Sequence, residues 1–294
     1  MRDTLAERPL LATTLLTALA MLAFAANSLL CRMALQQAHI DPASFGAIRL
    51  AAGAATLLLV MRLQARAAGQ KNMAGDWPAA VMLFLYVACF SFAYLRLAAG
   101  SGALILFGAV QLTMFAAGLR AGERFSGTGW LGLALAAGGL VLLLLPGVAA
   151  PSPGAAALMA VAGVAWGFYS LRGRGTPDPL AATGGNFVRA TPLAVVLWLA
   201  WAARAHAHSR ADMHGVALAL LSGAVTSGLG YVVWYAALPR LAALQAASVQ
   251  LSVPLIAALG GVLLLGEAFT ARLVLASVAI LGGIALVLKT RARR

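Results

Sequence analysis

Long apolar stretches alternate with short polar connections along nearly the whole chain. A membrane helix needs about 20 apolar residues to cross a hydrocarbon core of about 30 Å, whereas the strands of a membrane barrel alternate apolar and polar residues. The pattern predicts an all-α polytopic membrane protein with ten transmembrane helices. The ten stretches are residues 10–31, 43–61, 77–97, 101–119, 127–146, 154–171, 179–201, 213–238, 242–265 and 271–289.

The first stretch also has features of a secretory signal peptide. Arg2 and Arg8 flank its start, and residues 23–25 read Ala-Phe-Ala, a pattern typical of cleavage sites. However, Asp3 and Glu7 dilute the basic segment, and the apolar run continues past that site. We therefore expect this stretch to remain in the protein as its first helix.

Composition agrees with a membrane location. The chain is 62% hydrophobic and 10% charged, whereas soluble domains average about 25% charged residues. The net charge of +13 does not indicate nucleic-acid binding, because Lys and Arg lie mostly at the ends of the apolar stretches. They are concentrated in the connections on the side of the N-terminus, which predicts that both termini are cytoplasmic.

Two motifs repeat with one spacing. Gly-Glu occurs at 122–123 and at 266–267, and Gly-Gly occurs 144 residues apart at 138–139 and 282–283. We therefore predict two homologous halves of five helices each, residues 1–150 and 151–294. Because five is an odd number, the second copy has to cross the membrane in the opposite sense, which makes it an inverted repeat.

Asp-Pro also recurs at the start of a stretch in each half. Asp41-Pro42 precedes the second stretch and Asp178-Pro179 precedes the seventh. Aspartate accepts hydrogen bonds from the free N–H groups of a helix start, and proline is well tolerated in the first turn. We expect both aspartates to cap helices.

The repeated glutamate has a structural interpretation and a functional one. In the structural interpretation, Glu123 and Glu267 cap the turn that follows and pair with Arg120, Arg124 or Arg272. In the functional one, they take part in coupling transport to an energy source. The structural interpretation is the one that we expect.

These repeated motifs resemble those of the drug/metabolite transporter superfamily, specifically its EamA-type ten-helix exporters. The resemblance implies export of small metabolites, commonly amino acids or related compounds, across a bacterial inner membrane, and it extends to the aromatic and broad-specificity amino-acid exporters. The fourth stretch departs from the pattern, since Val110-Gln111 stands where a proline is usual. The motifs that carry the resemblance are Ala93–Leu97, Gly122–Arg124, Gly129–Gly139, Tyr235–Arg240, Pro254–Glu267 and Gly282-Gly283.

Inverted repeats tend to place the substrate near the membrane midplane, between the two halves. Amides offer donors and acceptors to a zwitterion, and aromatic rings line apolar pockets. The alternatives are helix–helix hydrogen bonds, of about 0.6 kcal/mol each, and an interfacial aromatic belt. The candidate substrate-binding residues are Asn27, Tyr94, Gln111, Trp166, Tyr169, Trp234 and Gln250.

Arg49 and Arg189 lie inside predicted helices, where a charge is costly. Either arginine attracts a substrate carboxylate or satisfies backbone carbonyl groups, and the sequence leaves both roles open. All eight Asp and Glu residues lie at the termini, in connections or at helix ends. Without a buried carboxylate relay, we expect facilitated or weakly coupled export with no ATP hydrolysis.

Enzyme and cofactor motifs are not recognisable. The Gly127–Gly132 segment matches a dinucleotide motif by letter, but it opens a membrane helix, so we interpret it as close packing. We expect no catalysis, cofactor or metal site, and partners limited to a small-molecule substrate and the bilayer. The oligomeric state stays open, a monomer included. The alternatives are export of a drug, sugar or nucleotide-sugar, and a non-transporting scaffold or receptor.

Overall fold

The computed structural model describes residues 3–68, 73–122, 126–146, 150–173, 176–204, 211–241, 246 and 249–291. The regular elements of this part of the chain are all helical. The helices are α1 (Asp3–Gln36), α2 (Pro42–Ala68), α3 (Trp77–Ala93), α4 (Ala99–Arg120), α5 (Gly127–Leu144), α6 (Pro153–Arg172), α7 (Pro179–Arg204), α8 (Met213–Arg240), α9 (Ser252–Leu265) and α10 (Ala271–Arg291).

Eight of these helices are long and apolar enough to cross a membrane, and α3 and α9 are shorter apolar helices. The predicted class, an all-α polytopic membrane protein, is confirmed. The count of ten crossings and the inverted relation of the halves remain predictions. Large apolar side chains also lie exposed on the outer faces of the helices, which suits contact with lipid. Examples are Leu15, Leu59, Leu131, Val196 and Leu263.

The helix starts follow the Asp-Pro signals. Asp41 Oδ1 accepts hydrogen bonds from the backbone N–H groups of Ala43 and Ser44, at 3.0 and 2.9 Å. Asp178 Oδ1 accepts one from the N–H of Ala181, at 3.1 Å. Each carboxylate satisfies N–H groups that have no partner within the helix. The predicted caps of α2 and α7 are therefore confirmed.

The glycines of the repeated Gly-Glu motif end helices. Gly122 follows α4 with φ +81°, and Gly266 follows α9 with φ +64°. A Cβ at either position would meet no atom within 4 Å. Glycine is thus required by the left-handed backbone that terminates a helix, and not by lack of space. Glu123 and Arg124 lie outside the described residues.

The sequence suggested that Glu267 pairs with Arg272, and this expectation is wrong. Its carboxylate accepts hydrogen bonds from the backbone N–H of Ala99, at 2.8 and 3.0 Å, and pairs with Arg32 Nε at 3.2 Å. Arg272 Nη1 instead donates to the Leu145 carbonyl at 2.5 Å. The free N–H groups and positive dipole end of α4 attract the carboxylate, and only the tertiary fold brings α4 there.

Helices α1–α4 pack against α6–α9, and α5 packs against α10. At the contact of α5 with α10, a Cβ on Gly132 would meet the carbonyl oxygen of Gly283, and a Cβ on Gly283 would meet that of Gly132. The two backbones therefore touch directly. Gly132 is a close-packing glycine, as predicted. The contact of α1–α4 with α6–α9 encloses the polar groups described next.

Candidate functional site

Helix α8 is irregular in the middle of its length. Residues Ser222–Leu229 form a π-helical segment between two α-helical parts. The segment carries three buried hydroxyl side chains, those of Ser222, Thr226 and Ser227. π-Helical turns are rare and occur frequently at functional sites, since the extra residue per turn re-aims side chains. Here they direct hydroxyl groups toward α1 and α2.

Asn27 of α1 is the first partner of these hydroxyls. Its Oδ1 accepts a hydrogen bond from Ser222 Oγ at 2.6 Å and a longer one from Thr226 Oγ1 at 3.4 Å. Its Nδ2 lies 3.5 Å from the Tyr86 hydroxyl, at the limit for a hydrogen bond. Asn27 thereby connects α1 of the predicted first half with α8 of the second.

Arg49 of α2 is the second partner. Its Nε donates to Ser227 Oγ at 3.2 Å, and its Nη2 donates to the Tyr86 hydroxyl at 3.1 Å. The guanidinium carbon lies 5.2 Å from the ring centroid of Tyr86 and 5.1 Å from that of Phe90, within cation–π range. Arg49 is only 2% exposed, yet its Nη1 has no hydrogen-bond partner.

The neighbours of Arg49 differ from those of the arginines that form ion pairs. In the described part of the chain, the Arg–carboxylate pairs join Arg32 to Glu267 and Arg172 to Asp76, and Arg49 has hydroxyl and aromatic neighbours instead. Arg189 of α7 is different again, since its Nη1 donates to the Ala74 carbonyl at 2.9 Å. Arg189 thus makes the backbone contact expected of a structural role.

An aromatic column runs from Arg49 between α3, α6 and α8. We define it as Tyr86, Trp166, Tyr169, Tyr231 and Tyr235. Trp166 is its centre, because the ring centroids of Tyr86, Tyr169 and Tyr231 lie 4.8, 5.2 and 5.8 Å from it. Tyr235 continues the column 6.1 Å beyond Tyr231. Trp166 and Tyr235 are only half-buried, so the column is not sealed in the core.

The far end of the column is also polar. The hydroxyls of Thr183 and Tyr235 are hydrogen-bonded at 2.8 Å, and Tyr169 donates to Thr183 Oγ1 at 3.5 Å. The column therefore lies between the Asn27–Arg49 group at one end and Thr183 at the other. Such an arrangement suits a solute with an apolar or planar body and a polar head.

Three of the seven predicted residues belong to this assembly. Asn27 lies in the polar group, and Trp166 and Tyr169 lie in the aromatic column. Trp234 is 8% exposed and contacts Phe24 edge-on at 6.1 Å, beside the column and not within it.

Tyr94 also lies outside the column. It is fully buried, its ring contacts Phe90 at 4.7 Å, and its hydroxyl donates to the Ala99 carbonyl at 3.3 Å. Gly102 leaves the space for this ring, because a Cβ there would overlap it. Tyr94 thus packs near the start of α4, and the Phe90 ring contacts both Tyr94 and Arg49.

The two predicted glutamines lie outside the group around Asn27 and Arg49. Gln111 is half-buried on α4 and does not take part in the hydrogen-bonded group described above. Gln250 Nε2 donates to the Ala246 carbonyl at 3.3 Å, just before α9. The carbonyl of Gln250 accepts from Val253 N–H at 3.1 Å, because Pro254 has no N–H to donate to it. The chain therefore turns at Gln250, a kind of interruption that occurs at transporter binding sites.

Sequence reasoning did not place Tyr86 or the hydroxyls of α8 beside Arg49. A signal was available, because Ser222 and Thr226 are four residues apart and share one face of a helix. What periodicity could not indicate is the π segment, which adds Ser227 to the same group. The contacts of Tyr86 with Arg49 and Trp166 depend on how α2, α3 and α6 meet.

The two ends of the bundle are held by different ion pairs. At the Glu267 end, Glu267 and Arg32 are 10% and 14% exposed, and Arg32 Nη1 also donates to the Tyr94 carbonyl at 2.9 Å. Glu267 additionally binds the N–H of Ala99. This group of side chains links α1 and α4 to the segment after α9.

At the Asp76 end, the side chains of Asp76 and Arg172 are 44% and 52% exposed and 2.8 Å apart. Asp76 caps α3 by accepting from Ala79 N–H at 2.8 Å, and its own N–H donates to Asn186 Oδ1 at 3.0 Å. Partial burial acts to raise the pKa of Asp76, but the hydrogen bonds from Ala79 and Arg172 outweigh it, so the pKa is lowered.

Comparison with known proteins agrees with this architecture. Residues 154–289 match the model of the EamA-like transporter family. An uncharacterized protein of Pseudomonas aeruginosa is 56% identical over 282 residues, covering 96% of each chain. A protein of known crystal structure superposes with a TM-score of 0.65 at 19% identity, covering 95% of this chain and 98% of the other. At that identity the last likeness shows the fold alone.

Proposed function

We propose that this chain, which belongs to the EamA-like transporter family, exports amino acids or related small metabolites from the bacterial cytoplasm. The solute passes through the centre of the bundle by alternating access, between the helices of the two predicted halves. The protein acts as a transporter and not as an enzyme. In this proposal the membrane is the inner membrane, and both termini face the cytoplasm.

The observation that supports this proposal is the position of the polar and aromatic groups. Asn27, Arg49 and the aromatic column lie between α1–α3 and α6–α8. Polar groups at this depth cost free energy, and those that occur there generally mark functional sites. The column offers apolar area and the groups at its ends offer hydrogen bonds. An amino acid carries both kinds of surface.

The two ion pairs support the proposal of alternating access. With cytoplasmic termini, the Glu267 end faces the periplasm and the Asp76 end faces the cytoplasm. Each pair connects an element of the predicted first half to one of the second, so rocking of the halves opens one pair while the other stays closed.

Efflux from proteoliposomes tests the function. The purified protein is reconstituted and loaded with each of a panel of labelled amino acids, and counterflow is measured against protein-free vesicles. We expect exchange of at least one amino acid, and we expect it to persist with a protonophore, because no carboxylate occurs within the apolar stretches. Lack of exchange for the whole panel would contradict amino-acid transport.

A matched pair of variants on α6 tests the site. Trp166→Ala removes the centre of the aromatic column, whereas Phe168→Ala removes a ring that is 45% exposed on the outer face. We expect the first variant to reduce exchange by about tenfold or more and the second to leave it unchanged. Equal rates for both would show that the column does not line the path.

The same assay separates the alternatives. Exchange of labelled sugars or nucleotide-sugars in place of amino acids would reassign the substrate within the same transport function. A protein that folds, reconstitutes and exchanges none of these solutes would instead behave as the non-transporting scaffold or receptor.

A further inference from the structure

Arg49 is a buried cation with one guanidinium nitrogen left without a hydrogen-bond partner. The side chain is 2% exposed, its Nε and Nη2 bind the hydroxyls of Ser227 and Tyr86, and its Nη1 has no partner. Neither hydroxyl carries a negative charge to balance the guanidinium. A buried charge in a membrane helix is costly unless it is paired, and such residues generally mark substrate or ion pathways.

We infer that Arg49 Nη1 binds a carboxylate of the transported solute, and that this carboxylate, and not an ammonium group, is what the protein requires. The inference rests on the proposed function, since it names the group that the transport site recognises. It limits the substrates to carboxylic acids, of which amino acids are one kind. Amines, sugars and amides of the same shape are excluded.

The aromatic column determines how the rest of the solute lies. The guanidinium of Arg49 lies over the Tyr86 ring, and the ring centroid of Trp166 lies 4.8 Å from that of Tyr86. A solute with its carboxylate at Arg49 therefore places its body against Trp166 and Tyr231. Guanidinium groups bind carboxylates through two parallel N–H donors, which Arg49 provides when Nη2 exchanges the Tyr86 hydroxyl for the second carboxylate oxygen.

A solute ammonium finds no comparable partner. The eight acidic residues of the chain all lie outside the apolar stretches, and Asp41 is the one closest to Arg49 along α2. Asp41 is two helical turns away, about 12 Å at 1.5 Å per residue, and its carboxylate is occupied by Ala43 and Ser44. The amide of Asn27 is neutral, and cation–π attraction by the aromatic rings is weaker than pairing with an opposite charge, so the carboxylate dominates recognition.

Arg189 provides a matched control. It is the other arginine inside a predicted membrane helix, and its Nη1 is already bonded to the Ala74 carbonyl. Both arginines bring a charge into the bundle, but only Arg49 has a buried, unpaired nitrogen beside the aromatic column. A general effect of removing a positive charge would therefore appear in both variants, and loss of a carboxylate site in only one.

The first experiment uses the wild-type protein. The best-exchanged amino acid of the labelled panel is competed with three analogues: its deaminated acid, its carboxamide and its decarboxylated amine. We expect the deaminated acid to compete about as well as the amino acid, and the two analogues without a carboxylate to need about a hundredfold higher concentration. Equal competition by the amide or the amine would overturn the inference while leaving the proposed function intact.

The second experiment uses Arg49→Gln, Arg49→Lys and Arg189→Gln. Its readout is the ratio of competition by the amino acid to competition by its amide, which does not depend on how much protein is folded. We expect Arg49→Gln to bring this ratio close to one, Arg49→Lys to keep a preference for the acid, and Arg189→Gln to keep the wild-type ratio.

Two outcomes would contradict the inference: an unchanged ratio in Arg49→Gln, or the same loss in Arg189→Gln. If Arg49→Gln does not fold, Tyr86→Phe replaces it, since it keeps the ring under Arg49 and frees Nη2. We expect that variant to keep the preference for the acid with an altered affinity, and loss of the preference would again contradict the inference. Lack of exchange of any amino acid by the wild type refutes the proposed function and this inference together.

Discussion

The Glu267 end and the Asp76 end of the bundle are both held by one arginine and one carboxylate, but in different surroundings. Glu267 and Arg32 are mostly buried, at 10% and 14% exposed, and Glu267 also binds the start of α4. Asp76 and Arg172 are about half exposed. Breaking a buried pair leaves an unpaired charge and is costly, whereas exposed pairs contribute little.

The comparison indicates which end of the bundle opens more easily. In the state described here, the Glu267 end is held by a charge pair and a helix cap together, and the Asp76 end by a solvated pair and the Asn186 contact. We therefore expect the proposed cytoplasmic end to open with less loss of stability than the proposed periplasmic end.

The largest effect is expected from Glu267→Ala. It leaves Arg32 without its counter-charge and the Ala99 N–H without its acceptor, so we expect a loss of about 3 kcal/mol in the free energy of unfolding. Glu267→Gln keeps an acceptor for Ala99 and should lose less. Thermal unfolding in detergent measures both variants, and equal midpoints for wild type and Glu267→Ala would contradict the buried pair.

A smaller effect is expected at the glycines that end α4 and α9. Gly266→Ala and Gly122→Ala each place a side chain in a left-handed conformation, at a cost of about 1 kcal/mol. Because a Cβ meets no neighbour at either position, the two losses should be similar although the ends differ. Unfolding midpoints of the two variants provide the comparison. A much larger loss of unfolding free energy at one glycine would show that its cost is not due to backbone conformation alone.

The smallest effect is expected from Asp76→Asn. Asparagine still caps α3, so the variant isolates the exposed pair with Arg172, which is worth less than about 1 kcal/mol. The pKa of Asp76 is lowered in the folded state. The ionised carboxylate therefore adds to the free energy of unfolding above the unfolded pKa of about 4, and this stabilisation is lost as pH falls through the folded pKa.

The pH dependence gives the measurement for this pair. The difference in unfolding free energy between wild type and Asp76→Asn should be present at about pH 6 and should shrink below about pH 4. Arg172→Gln serves as the matched control and should show the same difference. A difference that is independent of pH would mean that the ion pair is not its source.

Local signals in the sequence predicted the helices well. The apolar stretches were sufficient to predict an all-α membrane protein, because their length and composition suit a bilayer. The Asp-Pro starts of α2 and α7 are confirmed by hydrogen bonds. Boundaries were less accurate: the stretch predicted as 77–97 ends as a helix at Ala93, and a turn to α4 follows. A run of apolar residues does not reveal where an apolar helix stops.

The candidate site was predicted only in part. Asn27, Trp166 and Tyr169 could be found because polar and aromatic side chains in an apolar stretch stand out. Arg49 was noticed, but its role depends on Tyr86 and on Ser227, which lies 178 residues away along the chain. Gln111 and Gln250 were chosen for their chemistry, which says nothing about the direction in which a side chain points.

The sequence alone determined that this protein is a helical membrane protein and where most of its helices begin, because both depend on neighbouring residues and the solvent around them. The ninth helix is an exception, since α9 begins at Ser252 whereas the predicted stretch begins at residue 242. The tertiary structure decided that Glu267 binds α4 and Arg32, and that Arg49 faces an aromatic column with its Nη1 unpaired. Those contacts join residues far apart in the chain, so they arise only when the helices pack together.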